Sequence, residues 1–276
     1  MLGVDRSSVY RQPATQKPKD KASMQQLLKA HRLHPLYGTR RLAIHLGWSR
    51  NKARRIRSLA GISIKRSKKH RRTNNTANPE IAAPPNILHR YTKFKDDSRP
   101  QDGMDYSDMT KVDAWVQDFT YLWFHRQWYY LAAVVDLATR QIVGWRLGDN
   151  HSSELTHSAL LDALSKHQSP AILHSDQGSE YLSYKHHLLC EKLEVQLSCS
   201  DKSSPWQNGF MERVFGTIQD ELPLLNQVRD LAELHEVIAL TIYYYNTNRI
   251  HTALGMSPVA YAEQLEEDKV LQKMVP

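Results

Sequence analysis

The chain has 276 residues, 41% of them hydrophobic, enough for one sizeable globular domain or a medium domain with smaller attachments. No apolar run approaches the ~20 residues of a membrane span, and the N-terminal MLGVDRSSVYRQ lacks the apolar core of a signal peptide. Cys190 and Cys199 are the only cysteines and form no CxxC pair, so neither a disulfide framework nor a cysteine-based zinc site is expected, and a reducing cytoplasm is the natural compartment. The net charge of +8 hides an asymmetry. Residues 1–72 carry 20 Lys or Arg against Asp5 and Asp20, a net of +18, while residues 73–276 carry 17 basic and 27 acidic residues, a net of −10. That split reads as a polyanion-gripping module joined to something else, with a solvated basic tail as the bland alternative.

The first elements are helical. Residues 2–11, LGVDRSSVYR, look like the capped second half of a helix-turn-helix or a short helix, with Asp5 as cap. Residues 22–60 have little Gly or Pro except near His34-Pro35 and Gly38, and GTRRLAIHLGWSRNKARRIRSLAGI has a helix-turn-helix pattern. Leu42 and Leu46 share one apolar face and Gly47 permits the turn. Ser49 caps a second helix that sends Ala53, Ile56 and Leu59 inward, and Gly61 stops it. Arg50, Lys52, Arg54, Arg55 and Arg57 decorate that helix, and Arg40 and Arg41 lie in the helix before it. Such a helix can enter the major groove while its flanks hold phosphates, and counterion release makes the binding steeply salt-dependent. KRSKKHRR at 65–72, with Lys65, Arg66, Lys68 and Lys69, reads as a phosphate-binding extension. From Thr73 to about Lys111, Asn, Pro, Asp and Ser dominate, which marks a linker (73–110) with a short ordered stretch around NILHRYTKF.

Beyond the linker the pattern turns strand-like. VDAWVQDFTYLWF, WYYLAAVVDLATR and QIVGWRLGD are three β-rich runs with short turns between them. HSSELTHSALLDALSKH is a helix, AILHSD a short buried strand, SEYLSYKHHLLCEKL a helix, VQLSCS a strand, and a longer helix runs from about Asn208 through Glu221. Three antiparallel strands followed by alternating helix and strand give an α/β, ribonuclease H-like mixed-sheet core (111–225). LAELHEVIALTIYYYNTNRIHTALGMSPVAYAEQL adds a C-terminal helical extension (226–276) of a helix, a loop and a short helix, as the basic helix-turn-helix-like region (1–72) adds an N-terminal one.

Three carboxylates stand in distinctive strings: Asp118 in WVQDFTYL, Asp176 in HSDQGSEY and Glu212 in SPWQNGFMERVFG, with 35 residues between the last two. Three acids gathered on one fold can hold two hard divalent cations, and a metal pair about 4 Å apart serves phosphodiester cutting and joining. In this order Asp118 ends the first strand, Asp176 ends the fourth, and Glu212 sits on a late helix. Other acids have plainer readings. Asp113 is a linker-proximal polar residue, Asp136 holds a hairpin turn, Glu180 sits on a solvated helix face rather than serving as an auxiliary acid, and Asp220 and Glu221 are surface positions. His174 reads equally as a structural histidine and as a neighbour of the site. Asn208 and Gly209 start the Glu212 helix, where a small residue allows close approach of DNA or backbone.

These strings, with HPLYGTRRLAIHL, VVDLATRQIVGW and YYYNTNRIHTALGMSPVAY, resemble the second-frame (OrfB-type) transposases of two-frame bacterial insertion sequences, relatives of the retroviral integrase core, from roughly His34 to Glu263. The resemblance implies a DDE transposase that cleaves element ends and transfers strands through a 3′-hydroxyl. Asp118, Asp176 and Glu212 match the metal-binding triad, served by two Mg²⁺ with Mn²⁺ as substitute. It also implies double-stranded DNA (terminal inverted repeats and target) as partner, a homo-oligomer assembled on DNA, and a first-frame OrfA protein or frameshift fusion. Tyr243, Tyr244, Tyr245, Asn246, Arg249 and His251 match the end motif, whose expected role is packing on the core. One departure concerns DNA ends. The family often has Lys or Arg seven residues after the glutamate; here it is Gln219, so end contacts fall to Lys202, Arg213 or another residue. The stretch around 96–113 is also longer than usual. Competing readings are a catalytically inactive DNA-binding regulator of a mobile element and a plain ribonuclease H-like nuclease; a retroviral-type integrase is disfavoured by the missing N-terminal His/Cys zinc pattern.

Overall fold

The computed structural model describes residues 18–63, 81–91, 93–94, 104–105, 108, 112–202 and 204–274. Residues 2–11, Lys65, Arg66, Lys68 and Lys69 lie outside the described residues. The chain divides into two compact units, residues 1–67 with 250–255, and residues 68–249 with 256–276.

The first unit holds α1 (Pro18–Leu33), α2 (Thr39–His45) and α3 (Arg50–Leu59). Gly47, at φ +62°, makes the turn between α2 and α3, and Ser49 caps α3 by accepting the Lys52 amide at 3.3 Å. Gly61, at φ +66°, ends it, with the Ile62 amide donating to the Arg57 carbonyl. Leu42, Ala53 and Ile56 are buried, but Leu59 is 40% exposed, contrary to the inward placement expected from the sequence. The reason is angular: at ~100° per residue Leu59 has rotated off the face that Ala53 and Ile56 share. Tyr37 is buried beside Ala30 and Leu42, stacks on His34 at 4.3 Å, and its hydroxyl accepts the Ile250 amide at 2.7 Å. The HPLYG string is thus a packing motif of this unit, completed by the 250–255 loop.

The second unit is built on a five-stranded sheet of order β5-β4-β3-β6-β7, from β3 (Ala114–Phe124), β4 (Gln127–Asp136), β5 (Ile142–Gly148), β6 (Ile172–Ser175) and β7 (Gln196–Cys199). A separate two-stranded ladder pairs β1 (Lys93–Phe94) with β2 (Met104–Asp105). In the main sheet β3–β4 and β4–β5 are antiparallel, whereas β3–β6 and β6–β7 are parallel, the mixed ribonuclease H-like arrangement. Helices cover both faces: α4 (Ser153–Leu164) and α5 (Tyr184–Lys192) on one, α6 (Gly209–Glu221) and α7 (Leu231–Thr247) on the other, followed by α8 (Pro258–Met274). The last helix, read as short from the sequence, has 17 residues. Ile87 and Leu88 of the NILHRYTKF stretch are buried, and the Ile87 amide donates to Ser198 Oγ at 2.9 Å beside β7.

Close contact between α4 and β5 depends on Gly144. A Cβ there would lie 2.4 Å from the Ala159 carbonyl oxygen and 2.6 Å from the Ala163 amide nitrogen, both backbone atoms that cannot rotate away. Gly144→Ala is therefore expected to destabilise the unit by about 1–3 kcal/mol, read as a lowered midpoint in chemical denaturation. An unchanged midpoint would mean that α4 shifts without cost.

Candidate active site

Asp118 lies in the middle of β3, not at its end, because the β3–β4 hairpin runs on to Phe124 and Gln127. The neighbour that stops is β6. Its register with β3 reads Ala114↔Ile172, Trp115↔Leu173, Val116↔His174; two steps further, Asp118 is level with Asp176, just past the end of β6. The two aspartates therefore occupy matched positions on adjacent parallel strands, where backbones stand ~4.8 Å apart. Backbone amides orient both side chains: Phe119 N donates to Asp118 Oδ1 at 2.8 Å, and Gly178 N to Asp176 Oδ1 at 2.9 Å.

The third carboxylate comes from α6. Asn208 stands at the N-cap of that helix, but its side chain makes no cap; Nδ2 donates to Asp118 Oδ2 at 2.8 Å instead. Glu212 is four residues on, hence on the same helix face, and exposed. Gln219, two turns later on that face, donates through Nε2 to Thr120 Oγ1 at 3.0 Å and to the Tyr121 carbonyl at 3.3 Å. Glu212 is thus bracketed by two contacts of α6 with β3. Even so, among the described residues no three His, Cys, Asp or Glu side chains are gathered closely enough to hold a metal ion. Gln219, the departure expected seven residues after Glu212, fastens α6 to β3. Lys202 and Arg213 are exposed, Arg213 Nε donating to the Gly209 carbonyl at 3.2 Å.

Glu180 is a correction. It is 5% exposed and does not lie on a solvated helix face, because α5 starts only at Tyr184, where Ser183 caps it by accepting the His186 amide at 3.4 Å. Residues 178–183 form a loop that turns Glu180 inward beside Asp176. A Cβ added at Gly178 would sit 2.6 Å from Glu180 Oε1 and 3.0 Å from Asp176 Oδ1. Burial, then the Asp176 charge, raises the Glu180 carboxyl above its ordinary range. Tyr181 is fully buried; desolvation, followed by the charges of Asp118, Glu180 and Asp176, holds its phenol well above the usual value. Its hydroxyl and Asn208 Oδ1 have no hydrogen-bond partner. Carboxylate and amide oxygens are the donors a hard divalent cation takes, so the donor types of Asp118, Asp176 and Asn208 fit such a metal, although the described residues do not gather three acids around one point. Apart from its place in the WQNG string, nothing local marks Asn208 as a carboxylate partner.

Other acids and His174 have structural work. Asp136 Oδ1 accepts the Thr139 amide at 2.7 Å in the β4–β5 turn, and Asp113 accepts the Ala171 amide at 3.2 Å. Asp220 is exposed, whereas Glu221, expected at the surface, is half-buried in an ion pair with the buried Arg249 at 3.1 Å, since α7 packs beside α6. His174 is buried between Ser198 Oγ (2.9 Å) and Ser200 Oγ (3.1 Å), and desolvation pushes it down to about 3, so it is neutral and structural. Asn246 brackets the Ile142 backbone, donating to its carbonyl and accepting from its amide, both at 2.9 Å, and Tyr245 is buried, so these parts of the end motif pack on the core; Tyr243 is exposed.

In the first unit the basic residues divide. Arg55 forms a two-pronged pair with Asp20 at 2.7 and 2.8 Å, and Arg57 donates to Thr39 Oγ1 and the Ile62 carbonyl, so both serve the unit's own packing. Lys52 lies over the Trp48 ring at 4.1 Å and Arg41 over Tyr37 at 5.9 Å. Arg40, Arg50 and Arg54 are exposed.

The integrase core domain family matches residues 111–205, and a second integrase core domain family matches residues 193–258. The chain is 30% identical over 284 residues to an insertion element IS600 31 kDa protein of Shigella sonnei, covering 97% of this chain and 98% of that one. It is 26% identical over 264 residues to a putative transposase for insertion sequence IS150 of Escherichia coli, covering 92% and 88%. Among solved structures, the HTLV-2 integrase catalytic core domain in complex with magnesium aligns over 54% of this chain and 95% of that one, at 21% identity and a TM-score of 0.46. A divalent-metal requirement goes with an integrase core. The chain belongs to the insertion-sequence transposases built on that core, polynucleotidyl transferases that cleave DNA and transfer its strands.

Proposed function

We propose that Asp118, Asp176 and Glu212 form the metal-binding triad of this transposase and hold two Mg²⁺ ions, with Mn²⁺ able to substitute. The observation that supports the reading most is the matched position of Asp118 and Asp176, with the helix of Glu212 tied to Asp118 through Asn208. The ions would supply activation of the attacking oxygen and neutralisation of charge on the departing one. The chain's own residues do the positioning. Backbone amides of Phe119 and Gly178 aim the aspartates, and Asn208 and Gln219 fix how α6 lies along β3. Glu212, exposed on that face, would complete the set when metal and DNA are bound.

The DNA contacts belong to this reading too. The exposed Arg40, Arg50 and Arg54, with Lys52, Arg41 and the basic run Lys65, Arg66, Lys68 and Lys69, would grip the terminal inverted repeats. Arg55 and Arg57 would act through the shape of the unit, and Lys202 and Arg213 would take the end contacts that Gln219 does not make. The domain plan is a DNA-binding region (1–72), linker (73–110), catalytic core (111–225) and helical extension (226–276). Assembly as a homo-oligomer on paired ends, and work with a first-frame protein or as a frameshift fusion, complete the proposal. Among the described residues no helix is long and apolar enough to cross a membrane.

The test is a nicking and joining assay on labelled element-end duplex with Mg²⁺, Mn²⁺ or EDTA, using wild type and Glu212→Gln. Metal-dependent nicks and joined products from wild type alone are expected. A Glu212→Gln protein as active as wild type would remove Glu212 from the triad.

A further inference from the structure

The β3–β4 hairpin outruns its sheet. Pairing with β6 stops at Val116 and pairing with β5 at Tyr130, so among the described residues Tyr121–Phe124 and Gln127–Tyr129 have only each other as strand neighbours. One face of this projection is closed: Leu122 and Phe124 are buried, and His125 Nε2 meets the Val228 carbonyl at 3.1 Å. The other face carries a continuous row of rings. His151 stacks on Phe119 at 5.8 Å, Phe119 meets Tyr130 at 6.1 Å, Tyr130 meets Tyr121 at 5.2 Å, Tyr121 meets Trp128 at 6.2 Å, and Trp128 meets Trp123 at 4.8 Å. The middle rings, Phe119, Tyr130 and Tyr121, are half-buried, whereas Trp123 and Trp128 at the tip are 52% and 50% open to solvent.

Two exposed indoles at the tip of a hairpin leave apolar area in water that folding alone would hide, so the row has a purpose other than core packing. Its chemistry is specific. The row holds rings and no aliphatic side chain, and Arg126, exposed at the hairpin turn, adds a cation at its outer end. An array of π-faces with a flanking guanidinium suits unpaired nucleic-acid bases, every one of which offers a π-face. Rings and a guanidinium also suit a protein interface; DNA is favoured because a transposase core exposes unpaired strand ends and the row comes near its carboxylates. Phe119 and Asp118, being consecutive in the strand, point to opposite faces of the sheet. The inner end of the row still comes near the proposed site around the sheet edge: His151 lies close enough to Glu180, and Tyr121 to Tyr181, to act on them electrostatically. From Asp118 to Trp123 is about 17 Å along the strand, the length of about five stacked nucleotides.

We propose that this row is a stacking platform for unpaired DNA bases next to the cleavage site, holding the single-stranded end that cutting and joining expose. The inference rests on the carboxylate site lying at Asp118, but its test does not depend on metal. In EDTA, and at elevated salt to suppress phosphate contacts made by residues 1–72, binding of a dye-labelled oligothymidylate of about 12 nucleotides is compared with binding of a duplex by fluorescence anisotropy. Trp123→Ala/Trp128→Ala in the full chain is expected to weaken oligothymidylate binding about 10- to 100-fold and leave duplex binding within about twofold. Trp123→Phe/Trp128→Phe, which keeps π-faces, should retain most of the affinity. Unchanged oligothymidylate binding by the alanine variant overturns the proposal, and so does an equal loss for both DNAs. Loss of self-association in sedimentation with single-strand binding intact also overturns it and assigns the row to a second copy. Because no cleavage is read, a failed triad assignment shows in the nicking assay alone.

Discussion

Asp118→Asn is expected to lower metal-dependent cleavage and strand transfer by more than about 10²-fold while leaving duplex binding within about twofold. The substitution keeps the size of the side chain and lets Oδ1 go on accepting the Phe119 amide, so the backbone of β3 has no cause to move. It removes one negative charge from a group of three acids, Asp118, Asp176 and Glu180, whose charges converge on the buried Tyr181. That charge is what a hard cation requires, and a neutral amide binds such an ion poorly. An amide NH₂ in place of Oδ2 would set two donors against each other at the contact with Asn208 Nδ2, so Asn208→Asp as a second substitution checks the geometry. Product formation is read on labelled element ends, and binding by mobility shift. Wild-type cleavage rates in Asp118→Asn would end the metal assignment at this position.

The second large effect concerns stability. Arg249 and Glu221 form an ion pair at 3.1 Å with side chains only 6% and 10% exposed, and the guanidinium also stands 5.8 Å from the Tyr245 ring. Removing one partner of a buried pair leaves the other charge without compensation, at a cost of about 3–5 kcal/mol. Arg249→Ala should therefore lower the thermal midpoint by on the order of 10 °C. Arg249→Met combined with Glu221→Leu removes both charges and keeps apolar volume, so it should recover most of the loss. Equal losses in the single and double variants would show that packing, not charge, dominates at this contact.

The ring platform, the clash at Gly144 and these two predictions draw on different kinds of information. The order of strands and helices in the core was readable along the chain, because two-residue alternation, helical spacing and turn residues are local signals. Ser49 as cap and Gly47 and Gly61 as turn residues were readable for the same reason, since a side-chain cap and a positive φ are properties of a few neighbouring residues. Asp136 as a turn holder belongs with them.

Legible along the chain, then, are the run of elements, the charge split between residues 1–72 and the rest, and the resemblance carried by the acidic strings. Tertiary structure decided which of those residues meet. Parallel pairing of β3 with β6 sets Asp118 level with Asp176 across more than 50 residues of chain, and no local pattern carries that register. Packing also turned Glu180 inward, spent Asn208 on Asp118 and Gln219 on β3, and took Arg55 and Arg57 into the first unit's own contacts. Burial and partnership are relations between distant segments, and they separate a carboxylate in a site from one on a surface.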